Sequence, residues 1–146
     1  MPKAKRFSHL VLTVPEIDRL VPFFVDFLGL ECRYIEGRRD QSTVHLKGIT
    51  APTEAKAKNV IIQRAVLGTG DFSIELEAPG ASETSPHAKG LAFERLAFEC
   101  DTNNLQKLAE WIKAKGYKLE KIDAESDRVV FVGPAGMRIE LIPPEK

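Results

Sequence analysis

Four residues of this chain have types that could do chemistry and positions that could bring them together: His9, Glu75, Arg95 and Glu140. Imidazole and carboxylate groups can ligate a divalent ion or move a proton beside a carbonyl. A guanidinium can hold a carboxylate or phosphate through paired N–H donors. The four belong together because each occupies a corresponding place in a strand pattern that occurs twice. Alternate side chains of a strand face opposite ways. The segment 7–15 therefore sends Leu10, Leu12 and Val14 to one side and His9, Val11 and Thr13 to the other. The segment 93–101 repeats the shape, with Leu96, Phe98 and Cys100 on one side and Arg95, Ala97 and Glu99 opposite. Two further strands share an Ile-Glu-Leu core, and in them Ile74, Leu76, Ile139 and Leu141 oppose Glu75, Glu77, Arg138 and Glu140.

Helices must cover the apolar sides. Ile17, Leu20, Val21, Phe24, Phe27 and Leu28 fall on one helical face before Gly29, and Leu105, Leu108, Ala109, Trp111 and Ile112 do so before Gly116. Phe24 and Trp111 stand equally far before those glycines. Pro22 is expected in the first turn of the regular helix, after an irregular turn over 16–19. Asp101, Thr102 and Asn103 are capping choices for the second helix.

Strands are expected between helix and closing strand, near 31–36 and 60–67 in the first half and near 117–122 and 128–132 in the second. This predicts an α+β fold of two paired β-α-β-β-β modules, a curved mixed sheet around a cup-shaped cavity. The boundaries are about 6–79 for module one, 80–91 for a small-residue linker and 92–143 for module two. The stretch 38–59 is extra; within it 42–47 is read as a short helix, too polar for a core strand. Residues 68–71 read as a hairpin turn.

A chain of 146 residues suits one domain, and 43% hydrophobic with 29% charged residues are globular proportions. No apolar run approaches the ~20 residues that span a bilayer, so no membrane partner is expected. The basic start reads as a solvated tail rather than a secretion signal. Twenty-one basic and 21 acidic residues balance, which argues against nucleic acid as a partner. Cys32 and Cys100 form neither a CxxC pair nor a disulfide framework, which favours two reduced thiols in the cytoplasm. His45 and His87 lie in the extra stretch and the linker without partners at ligand spacing and read as surface residues, although His87 could fold over the cup as a substitute ligand.

Taken in order, Ser8-His9-Leu10, the run from Phe23-Phe24 to Leu28-Gly29, Ile74-Glu75-Leu76, Leu96-Ala97-Phe98-Glu99, and Gly133-Pro134-Ala135-Gly136 leading into Ile139-Glu140-Leu141 resemble the vicinal oxygen chelate superfamily. Its members include glyoxalase I, bleomycin-resistance proteins and extradiol dioxygenases. The resemblance implies a homodimer, a small-molecule ligand or substrate, and a divalent ion (Zn, Ni, Mn, Fe or Co) held at positions matched here by His9, Glu75, Arg95 and Glu140. The third of these is usually histidine.

Arginine there changes the chemistry, because guanidinium stays protonated and has no lone pair to give a metal. At ~4 Å and an effective dielectric of ~20 it repels a divalent ion by roughly 8 kcal/mol. A 2-His-1-carboxylate triad is then missing, which disfavours ring-cleaving dioxygenase chemistry. Two readings follow. In one, His9, Glu75 and Glu140 hold a metal, and Glu75 or Glu140 is the catalytic base of a glyoxalase-type lyase or isomerase. In the other, Arg95 neutralises Glu75 and Glu140, binds an anionic ligand, and the protein is a metal-free binding or resistance protein.

Overall fold

The computed structural model describes residues 9–80, 95–100 and 104–143. The tail, the linker beyond Gly80 with His87, and the capping candidates Asp101, Thr102 and Asn103 lie outside the described residues. Two compact units, Met1–Pro86 and His87–Lys146, make up the chain.

In the first unit β1 (His9–Thr13) lies parallel to β5 (Phe72–Glu77). Antiparallel β4 (Ile61–Thr69), β2 (Glu31–Arg39) and β3 (Ser42–Lys47) complete the order β1-β5-β4-β2-β3. In the second unit β6 (Leu96–Glu99) lies parallel to β9 (Arg138–Ile142), followed by β8 (Arg128–Val132) and β7 (Lys118–Asp123). Parallel neighbours need a crossover, which α1 (Ile17–Pro22) and α3 (Leu105–Ala114) supply. Without β3 and α2 (Ala51–Ala57) the first unit has the strand order of the second. The α+β class and the repeated β-α-β-β-β plan are as the sequence pattern predicts.

Alternation fixes the inward faces. Leu12, Ile35, Ala65, Leu67, Ile74 and Leu76 are buried with Leu20 and Phe24 in the first unit, and Val129, Phe131, Ile139 and Leu141 with Ala109 and Ile112 in the second.

Four local expectations are corrected. Residues 42–47 form an edge strand, because Val44 and Leu46 alternate inward while pairing with β2 satisfies the backbone; polar residues suit an edge. The helix of the extra stretch is α2, which buries Ala51 and Ala55 one turn apart. Pro22 ends the regular helix rather than starting it: a π-helical turn, Phe23–Phe27, follows, closed by Leu28 N–H donating to Phe23 O at 3.1 Å. Proline has no N–H and crowds the preceding turn, a standard cause of such widening. Phe24, one turn after Leu20, is fully buried, whereas Trp111 is 41% exposed. Finally, α3 is capped by Asn104, whose side chain accepts from Lys107 N–H at 3.0 Å.

Among the described residues no helix is long and apolar enough to cross a membrane. Neither Cys32 nor Cys100 is in a disulfide, and burial pushes the Cys32 thiol pKa up.

Candidate functional site

The helix-free face of each sheet is built on the same register. Val11 pairs with Glu75 and Ala97 with Glu140, so His9 and Arg95, each two residues earlier, stand diagonal to their glutamates. His9 Nε2 lies 4.0 Å from Glu75 Oε2, and Arg95 Nε lies 3.2 Å from Glu140 Oε2. The predicted quartet thus meets as His9 with Glu75 in the first unit and Arg95 with Glu140 in the second.

The next strand supplies residues that the sequence reading passed over. Val66 pairs with Glu75 and Val130 with Glu140, and two residues before each valine stands an arginine on the same face. Arg64 Nε lies 3.0 Å from Glu75 Oε1, and Arg128 Nη1 lies 3.5 Å from Glu140 Oε2. Period-two alternation applied to β4 and β8 would have found both. Each central glutamate therefore has a guanidinium at the equivalent position of the neighbouring strand.

Around that shared pair the units diverge. Arg64 also meets Glu77 at 3.3 Å and Glu36 at 3.6 Å, so one cation faces three carboxylates. Glu77 is only 9% exposed, so its carboxylate needs such a partner. In the second unit Ile142 stands where Glu77 does. Asp123, the counterpart of Glu36, turns back to accept from the backbone N–H of Glu125 and Ser126. The Ser126 hydroxyl and these backbone groups hold its carboxyl below the usual carboxylate range. Glu140 instead has two arginines; Oε2 of Glu140 is buried without a hydrogen bond, as are Nε of Arg128 and, in the first unit, Nε of Arg64. Arg138, on the same strand as Glu140, pairs with Glu120 at 3.0 Å.

A bulge occurs at the same register position in both units, between Cys32 and Tyr34 and between Leu119 and Lys121. Its extra residue reaches the closing strand in each: Arg33 donates to Ser73 Oγ at 2.6 Å, and Glu120 accepts from Arg138. Next along β2, the Tyr34 hydroxyl hydrogen-bonds His45 Nδ1. Partial burial and the Glu36 carboxylate push the Tyr34 phenol pKa up, and Arg64 opposes them. His45 is exposed, as predicted, but it is not without a partner.

His9, Val66, Ser73 and Glu75 line a pocket of about 180 Å³ within the first unit. Two donors sharing one ion at about 2.1 Å each can be no further apart than about 4.2 Å, so the His9–Glu75 distance is near the upper reach of a common ligand pair. Within either unit, among the described residues, no three His, Cys, Asp or Glu side chains are grouped to hold a metal ion. Glu140 faces guanidiniums instead.

Known proteins bear on this arrangement. FosX of Listeria monocytogenes, a genomically encoded fosfomycin resistance protein solved with Mn(II) and sulfate, is 14% identical with a TM-score of 0.63, over 98% of this chain and 95% of that one. A possible glyoxalase from Bacillus cereus is 18% identical with a TM-score of 0.59, over 95% and 99% of the two chains. An integron cassette protein from the mobile metagenome of V. cholerae is 20% identical with a TM-score of 0.59, over 99% of both. At these identities the likeness is one of fold. No curated protein sequence matches the chain. Residues 8–131 match the Glyoxalase/Bleomycin resistance protein/Dioxygenase superfamily, and by that match the chain belongs to this family, the vicinal oxygen chelate superfamily of the sequence resemblance.

Proposed function

We propose that this protein binds a small molecule on the helix-free face of its first unit, in the pocket of His9, Val66, Ser73 and Glu75, with guanidiniums rather than a metal neutralising the two central glutamates. The observation that carries the reading is the matched pair Arg64–Glu75 and Arg128–Glu140, reinforced by Arg95 on Glu140. Partly buried carboxylates need compensation, and these charge-assisted contacts supply it. Two cysteines outside any disulfide support a reducing, cytoplasmic setting, and family resemblance supports a homodimer.

The test is a fragment titration followed at the Val66 methyl signals. Binding fragments should shift them, and His9→Ala should weaken that binding. Fragments that shift only residues outside the pocket would count against it.

The second reading is a metal-dependent lyase or isomerase, with His9, Glu75 and Glu140 as ligands and a glutamate moving the proton. The His9–Glu75 distance favours it, as does Mn(II) in the FosX structure. A bound ion would supply stabilisation of an enediolate oxygen. As arranged, the arginines on Glu140 and Glu75 fit a carboxylate–guanidinium network better than an ion site. Arg95→His separates the readings: metal uptake by the variant alone makes Arg95 the group that excludes it.

A further inference from the structure

We propose that Arg33 holds the oxyanion end of a small amphoteric ligand whose cationic end faces Glu75, in the first-unit pocket. This rests on the pocket reading above and names its ligand class. Three observations carry it.

The first is charge. At the equivalent bulge of the second unit, Glu120 is neutralised by Arg138 at 3.0 Å. Arg33 has a hydroxyl and a carbonyl instead, Ser73 Oγ at 2.6 Å and Gly70 O at 2.8 Å. Among the described residues it has no carboxylate partner. Guanidinium has five N–H donors, so donors remain after these two bonds. Ser73 Oγ accepts from Arg33, which leaves its own hydrogen to donate.

The second is placement. Ser73 lines the pocket and pairs with His9, so Arg33 is tied to the pocket wall. Two hydrogen bonds fix the guanidinium before a ligand arrives, reducing the ordering cost of binding. Gly68 makes room for it: a Cβ there would lie 2.5 Å from Arg33 Cζ.

The third is polarity along β5. Glu75 follows Ser73 on the same face, about 7 Å further on. There Glu36, Glu75 and Glu77 outnumber Arg64. A simple anion would be repelled at that end, and a simple cation at the Arg33 end. A short molecule with both charges suits the two ends. The cavity of about 180 Å³ has room for about six waters, which is the bulk of such a molecule.

The experiment titrates the full chain with 3-aminopropanoate, propanoate and propylamine, followed at the Val66 methyls and the Arg33 Nε–H signal. The proposal expects 3-aminopropanoate to bind at least about tenfold more tightly than either half-molecule, and more weakly as salt is raised. Arg33→Met should cost about tenfold for 3-aminopropanoate and leave propylamine unchanged. Gly68→Ala should do the same by displacing the guanidinium, at little structural cost because only the end of a flexible side chain must move. Arg19→Met, which removes the same charge from an exposed helix position, should change nothing. The proposal is overturned, with the pocket reading intact, if the Val66 shifts persist but neither Arg33→Met nor Gly68→Ala weakens 3-aminopropanoate. It is likewise overturned if propylamine binds as tightly as 3-aminopropanoate. If no fragment of any charge shifts Val66, both readings fall.

Discussion

In the first unit one cation, Arg64, serves three carboxylates; in the second one carboxylate, Glu140, is served by two cations, Arg95 and Arg128. The backbone beneath is the same in strand order, in the register of first, third and last strands, and in the site of the bulge. Duplicated geometry therefore does not imply duplicated electrostatics. The framework determines where a polar side chain can reach, and single substitutions such as Glu77 against Ile142, or Arg33 against Glu120, decide the sign of the charge found there. The central Arg–Glu pair is what the units keep in common, and it gives each sheet's helix-free face a compensated carboxylate.

The comparison can be broken by removing its two equivalent arginines. Arg64→Met leaves three partly buried carboxylates facing one another, and a loss of about 3 kcal/mol in chemical denaturation is expected. Gly37→Ala, in the strand that carries Glu36, comes next: its Cβ would lie 2.5 Å from Ile61 O, a backbone atom that cannot swing away. About 2 kcal/mol should be lost in the same assay. Arg128→Met should cost only about 1 kcal/mol, because Arg95 still holds Glu140. Equal losses for Arg64→Met and Arg128→Met would mean that the extra carboxylates of the first unit carry no weight.

The smallest effect sharpens the comparison by titration. With Tyr117→Phe as background, Tyr34 should ionise above the usual ~10 in ultraviolet difference spectra. Glu36→Gln should bring it down, and Arg64→Met should raise it further. A phenol raised on folding contributes stability that is fully present below the unfolded-state pKa and is lost as pH rises through the higher folded value. The second unit has Lys121 at the equivalent position and lacks this contribution.

Much of this was legible in the sequence because alternation is a strict rule. It placed His9, Glu75, Arg95 and Glu140 on the helix-free faces, and the Ile-Glu-Leu repeat identified the closing strands. The extra stretch was recognisable by comparing the halves. Residues 42–47 were misread because an edge strand needs few apolar residues, so composition alone cannot distinguish it from a polar helix. Pro22 signalled trouble in the first helix, but whether the chain answers before or after it depends on packing around Phe24. Arg64 and Arg128 left a usable signal, an arginine two residues before the central valine of each third strand. Arg33 left none, since a bulge adds a residue without any compositional mark and reverses the face that simple alternation assigns.

The central claim is that arginines, not a metal, compensate Glu75 and Glu140. Its most direct test is elemental analysis of the unmodified protein, purified without chelator and then equilibrated with Zn, Ni, Mn, Fe or Co. The account predicts no stoichiometric ion under any of these conditions. About one ion per chain, lost on His9→Ala or Glu75→Ala, would contradict it and establish the metal-dependent reading.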